Sequence, residues 1–158
     1  MNDLDAIDRK LVALLQADGR MPHAELGRAV GLAVSSVNER VRKLGERGIL
    51  TGTHAHASAE ALGLDLLAFV FVGWSDPTVE ARFLARVADE AAVLECHHVT
   101  GSWNYLLKVR VRNTRGLEAF LGAVIKAIEG IERTETLIAL SSPKETTALA
   151  ADPPEWGG

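Results

Sequence analysis

Six polar side chains gather in one stretch of this sequence: Ser35, Ser36, Asn38, Arg40, Arg42 and Lys43. Read as a helix from Val34 to Arg47, the stretch turns Val37, Val41 and Leu44 inward at about 100° per residue. Ser35, Glu39 and Arg42 then lie nearly opposite, flanked by Ser36, Asn38 and Lys43, with Arg40 at the edge. Short hydroxyl and amide groups reach base edges, while Arg and Lys hold phosphates or guanine, so the pattern suits a DNA major groove. A helix face that meets only water would be about as polar, and face composition alone does not separate the two.

Other reactive residues do not assemble into a site. His54 and His56 lie two apart, and His97 and His98 are adjacent, so on a strand that second pair faces opposite ways. No carboxylate or cysteine set completes a tetrahedral metal site around them, so no metal is expected. Ser141, Ser142 and Cys96 have no recognisable activating partner, and no glycine-rich phosphate loop follows a strand. No catalytic residue and no cofactor are expected. Cys96, the only cysteine, excludes an intrachain disulfide and reads as a small buried strand residue.

The chain has 158 residues and a net charge of −4, unevenly placed. Residues 1–52 hold eight Lys/Arg and seven Asp/Glu, a balance of +1, whereas residues 53–158 hold nine and fourteen, a balance of −5. Arg28–Gly52 alone reaches +3, with five cations against two Glu. A local basic face on an acidic protein can still track phosphates, because screening confines the interaction to roughly 8–10 Å. The longest apolar run, Leu66–Trp74, falls well short of the roughly 18 residues that cross a bilayer. The charged start MNDLDAIDRK is no signal peptide, so a cytoplasmic protein without membrane association is expected.

Three short helices position the polar stretch. Leu4, Ile7, Leu11, Leu14 and Leu15 recur at three- and four-residue steps up to Asp18-Gly19. Pro22 opens a second helix over His23–Val30, with Leu26 and Val30 inward and Gly31 as its stop. Joined by turns this short, the second and third helices form a helix-turn-helix. Thr51–Gly63 is small and polar and reads as a hinge with room for one extended segment.

The remainder predicts βαββαβ, a ferredoxin-like split unit in an α+β protein. Its strands are Leu66–Trp74, Val93–Thr100, the segment from Tyr105 to Arg112, and Ile131 to about Leu140. Its helices bury Val79, Phe83, Leu84 and Val87, then Leu117, Phe120, Leu121, Val124, Ile125 and Ile128. Gly101–Asn104 is a tight turn, and Asp152–Gly158 a loose tail. Both helices of such a unit cover one sheet face, yet Leu66–Trp74 is apolar at nearly every position. A second copy against the open face would bury the remainder; cover by the N-terminal domain or by the tail is the alternative.

The stretches LDAIDRKLVALLQADGRMPHAELGRAVGL and SSVNERVRKLGERGIL, with VTGSWNYLLKVRV and IERTETLIAL, resemble the Lrp/AsnC (feast/famine) transcription regulators from about Leu4 to Lys144. The resemblance implies a winged helix-turn-helix over 1–52, a linker over 53–63, a βαββαβ effector-sensing and oligomerisation domain over 64–145, and a tail over 146–158. It implies double-stranded DNA as a partner, a homodimer assembling to an octamer, and an amino-acid effector between dimers. By position, the DNA contacts would be Ser35, Ser36, Asn38, Arg40, Arg42 and Lys43, with Arg20 and Arg28 on phosphates. Ala33 stands where the family places a capping Ser, a loss of about 0.5–2 kcal/mol unless Ser35 caps from a shifted start.

The implied effector residues are Thr100, Gly101, Ser102, Trp103, Asn104, Thr134 and Thr136. Here Gly-Ser-Trp-Asn replaces the family's Gly-Asp-Tyr-Asp, and both carboxylates that could hold an α-ammonium group are gone. Three outcomes stay open: a changed ligand, an ordinary amino acid held by neighbours such as Glu95, or no ligand. Two other functions compete with the regulator. Some proteins on related scaffolds process tetrapyrroles with His-rich pockets, and a ligand-binding module could retain a degenerate DNA domain.

Overall fold

The computed structural model describes residues 4–152, which pack as two units: one runs through His56 and takes in the described chain from Lys144, and the other is Ala57–Pro143.

The first unit is helical. In α1 (Ala6–Ala17) the Asp5 carboxylate caps the N-terminus by accepting the Asp8 N–H at 2.7 Å. Pro22, whose ring presets φ, precedes α2 (His23–Val30), and Gly31 ends it in the left-handed region at φ 72°. The Leu32 N–H then reaches back to the Gly27 carbonyl at 2.9 Å. Gly27 permits that approach, since a Cβ there would stand 2.6 Å from the Leu32 carbonyl oxygen. Next comes α3 (Val34–Glu46), which starts from Ala33 with no side-chain cap, so Ser35 does not take over the missing role. Leu11, Leu26, Val37 and Leu44 form the core, with Ile7, Leu14, Leu15, Val30 and Val41 packed around them. The inward stripes of the sequence are thus realised.

Among the described residues no strand lies between α3 and Leu66, so the strands of a wing are not formed. Residues 51–57 carry no apolar side chain larger than alanine and so offer no apolar face to pair. The tail is docked through Asp152. Leu149 donates its N–H to Gln16 Oε1 (2.7 Å) and accepts from Gln16 Nε2 (2.9 Å), while Arg9 donates to the Ala151 carbonyl (2.8 Å) and pairs with Asp152 (3.7 Å). The loose tail expected from Asp152 onward otherwise lies outside the described residues.

The second unit holds β1 (Leu66–Gly73), α4 (Val79–Ala88), β2 (Val93–His98), β3 (Tyr105–Val111), α5 (Thr114–Phe120) and β4 (Arg133–Ile138). A π-helical turn, Leu121–Ile125, continues α5. The four strands form an antiparallel sheet in the order β2-β3-β1-β4. Burial in β3 alternates at every residue, as its period of two requires. Ala68, Val70 and Val72 of β1, Leu107 and Val109 of β3, and Val79, Phe83, Val124 and Ile125 of the helical segments make the core. Trp74, Phe83 and Tyr105 meet in it with ring centroids 5.0–5.7 Å apart.

Four expectations are corrected. The strand read as Val93–Thr100 stops at His98, and that read from Ile131 to Leu140 spans only Arg133–Ile138. Leu84 is 40% exposed, because Val79, Phe83 and Val87 at four-residue steps already fill the inward line of α4. Cys96 is exposed, since β2 is an edge strand; the partial burial it does have raises its thiol pKa.

Candidate nucleic-acid and effector sites

The outward face of α3 forms as its periodicity predicts. Ser35, Ser36, Asn38, Arg42 and Lys43 are all exposed, the last two with side chains 53% and 59% accessible. Its charges are not idle. Arg42 bridges Glu39 (2.7 Å) and Glu46, and Lys43 adds a contact to Glu39 at 3.2 Å. The two cations hold the Glu39 carboxyl below its ordinary pKa, Arg42 more than Lys43. These are i,i+3 and i,i+4 pairs in water, weak enough for a phosphate to displace. Asn38 Oδ1 meets His23 Nδ1 of α2. Arg28 is exposed in the last turn of α2, and Arg20 is exposed in the turn before it, its N–H on Asp18 Oδ1 at 2.9 Å.

Arg40 is the exception among the expected contacts. Its guanidinium turns toward α1 and donates at 2.7 Å to both Asp5 and Asp8. Arg47, absent from the expected set, reaches 4.0 Å from the other Asp8 oxygen. A cleft of about 360 Å³ lies there, lined by Asp8, Ser36, Glu39, Arg40, Lys43, Leu44 and Arg47. The sequence placed Arg40 at the edge of the face, but the carboxylates that draw it inward lie 32 and 35 residues away.

The expected effector residues split into two sets. Gly101 turns at φ 103°, and Trp103 is half-buried, its ring 5.8 Å from Phe71 and 5.2 Å from the Arg133 guanidinium. Arg133 also donates to the Ser102 carbonyl. Asn104 fastens the turn to the end of β1: its side-chain oxygen accepts from the Trp74 N–H (2.9 Å) and its own N–H donates to Val72 O (3.0 Å). Thr134 and Thr136 pair with Val72 and Val70, so they share the helix-covered side of the sheet. Phe71, on which Trp103 packs, points to the other side. The threonines are therefore not brought to the Trp103 ring, and Arg133 is brought instead. A cation at an alternate strand position was the only available signal for it. Thr100 is exposed just before the turn.

The open side of the sheet carries Phe69 and Phe71, both half-buried, beside Lys108, Leu106 and Leu137. Glu95 lies there too, held by His97 at 3.1 Å and Lys108 at 3.0 Å, and these two partners lower its pKa, His97 the more. His98 stacks on Tyr105 instead, so the adjacent histidines do face opposite ways. Among the described residues no three His, Cys, Asp or Glu side chains gather to hold a metal, and no helix is long and apolar enough to cross a membrane.

Comparison with known proteins covers both units. Residues 4–45 match the model of the AsnC-type helix-turn-helix domain, and residues 67–149 that of the Lrp/AsnC ligand binding domain. The HTH-type transcriptional regulator FL11 of Pyrococcus abyssi is 38% identical over 150 residues, 92% of this chain and 95% of that protein. The leucine-responsive regulatory protein of Escherichia coli is 34% identical over 149 residues, 93% of this chain and 91% of its own length. A feast or famine regulatory protein of Mycobacterium tuberculosis, solved with L-methionine, superposes with a TM-score of 0.84 at 38% identity, covering 92% of this chain and 97% of that one.

Proposed function

This chain belongs to the Lrp/AsnC family of transcription regulators, and we propose that it binds double-stranded DNA through the outward face of α3. Ser35, Ser36 and Asn38 read base edges, Arg42 and Lys43 take phosphates or guanine, and Arg20 and Arg28 add phosphate contacts. The observation that carries this reading is the exposure of Arg42 and Lys43 on a helix whose opposite side buries Val37 and Leu44. Arg42→Ala and Lys43→Ala are each expected to weaken binding to a duplex selected by the protein. Each also flattens the slope of log K against log salt by about 0.9 per lost phosphate contact. Parent-like affinity and slope in both variants would overturn the assignment.

Two subunits pair through the open sheet face, where Phe69 and Phe71 otherwise meet water, and such dimers assemble further toward an octamer. Sedimentation of the purified protein as a monomer would end that part. An amino acid or related small molecule acts at the Gly101–Asn104 turn; the L-methionine bound by the mycobacterial regulator supports this class of effector. Trp103 reports it: L-methionine should change the fluorescence of the parent and not of Trp103→Phe. A flat response across the amino acids would favour a different ligand or none. None of these relatives supports tetrapyrrole chemistry, and the protein works as a cytoplasmic regulator rather than an enzyme.

A further inference from the structure

Asp8 is the one charged residue among the described residues whose side chain is buried in the helical unit. Its two oxygens face Arg40 of α3 at 2.7 Å and Arg47, the residue that closes the helix, at 4.0 Å. The same Arg40 nitrogen also lies 2.7 Å from Asp5, and Asp5 is itself fixed as the cap of α1 by the Asp8 N–H. On the reading that α3 enters a DNA groove, we propose that Arg40 is a positioning residue. It holds α3 against the N-terminus of α1 through Asp5 and Asp8, sets the angle at which the outward face is presented, and contacts no phosphate.

The charge balance supports this. Asp5 and Asp8 cancel Arg40 and Arg47, so the cluster offers a phosphate no net attraction. Arg42 and Lys43, by contrast, are bound only by exposed glutamates of their own helix. An ion pair made on a buried carboxylate by partly exposed arginines adds little stability but can fix register, because a shift of α3 leaves Asp8 charged and unpaired. One guanidinium nitrogen, Nη1, meets both carboxylates, and the Lys ammonium, carried on a stem one bond shorter, would stand back from that point and stretch both 2.7 Å contacts. The Arg40 pKa is raised by its bonds to Asp5 and then Asp8, in the direction that favours the charged guanidinium.

The test uses the full chain and the duplex it selects most tightly from a random-sequence pool, titrated at several KCl concentrations. Arg40→Lys and Asp8→Asn are each expected to lower affinity about tenfold or more with the salt slope unchanged. Asp8→Asn discriminates best, because it removes a negative charge beside a DNA-binding face and electrostatics alone would tighten binding. Parent-like or tighter binding by Asp8→Asn overturns the proposal, as does Arg40→Lys binding like the parent. A slope flattened by about 0.9 in Arg40→Gln would likewise make it a phosphate contact. Should Asp8→Asn lose its helical circular dichroism, Asp5→Asn, at a half-exposed carboxylate, replaces it with the same expectation and the same overturning result. Arg42→Ala and Lys43→Ala separate the two readings: if both leave affinity and slope unchanged, the groove assignment of α3 falls and this proposal with it. If either flattens the slope while the Asp8 and Asp5 variants bind normally, only the positioning role falls.

Discussion

The face of α3 and the turn at Gly101–Asn104 are built in opposite ways. On α3 every group comes from one helix, and the charges pair with neighbours three or four residues away. At the turn the groups come from three places: Phe71 of β1, Trp103 of the turn itself and Arg133 of β4. The first surface is held by weak, water-exposed ion pairs that can be exchanged for phosphate. The second is assembled by strand pairing and packing, so its shape depends on the whole sheet. A chain can therefore keep the first through local sequence alone, whereas the second changes when any of three distant residues changes.

That contrast can be broken from the helical side most strongly. Gly27→Ala places a methyl group 2.6 Å from the Leu32 carbonyl oxygen, and the backbone there has no flexible side chain to yield. The expected outcome is a loss of about 1–3 kcal/mol in the first unit, read by thermal denaturation, together with loss of DNA retardation. The near-ultraviolet signal of the aromatic cluster in the sheet should persist. Simultaneous loss of both would show that the units do not fold separately.

From the sheet side, Tyr105 is the only tyrosine of the chain and its pKa is pushed up to about 12 by burial and then by its 2.7 Å bond to Glu80. The folded state thus holds the phenolic proton more tightly than the unfolded chain. The stability this contributes is present below about pH 10, the unfolded value, and is lost as pH rises toward 12. Absorbance titration of tyrosinate should show a midpoint near 12 in the native protein, and Glu80→Gln should lower it. A native midpoint near 10 would mean that the ring is not buried there.

A smaller effect tests the start of α3. With Ala33 at the cap position and no side-chain bond, Ala33→Ser should stabilise the helical unit by about 1 kcal/mol in a thermal melt. No gain would place the start of the helix elsewhere. The smallest effect is acid-dependent. Glu39 has its pKa lowered by Arg42 and Lys43, so its pairs contribute above the ordinary glutamate range and are lost as pH falls through the lowered value. Glu39→Gln should remove that dependence and slightly tighten DNA binding at neutral pH by freeing both cations; weaker binding would instead make Glu39 part of the readout.

The inward stripes Leu11, Leu26, Val37 and Leu44, the alternation of β3 and the order of elements were legible because side-chain direction repeats with the local backbone, at 3.6 or 2 residues. The two-sided apolarity of β1 was legible too: Ala68, Val70 and Val72 lie in the core, and Phe69 and Phe71 lie on the open side of the sheet. Tertiary structure alone decided which of two arginines on one helix turns inward. Arg40 meets Asp8 across 32 residues, whereas Arg42 meets Glu39 across three. It also decided that Arg133 joins Trp103 while Thr134 and Thr136 do not, and that Leu149 docks on Gln16 at a separation of 133. Periodicity reports the side of an element on which a residue lies. What waits on that side is fixed by the packing of segments far apart in the chain, and that is where the charges of this protein find their partners.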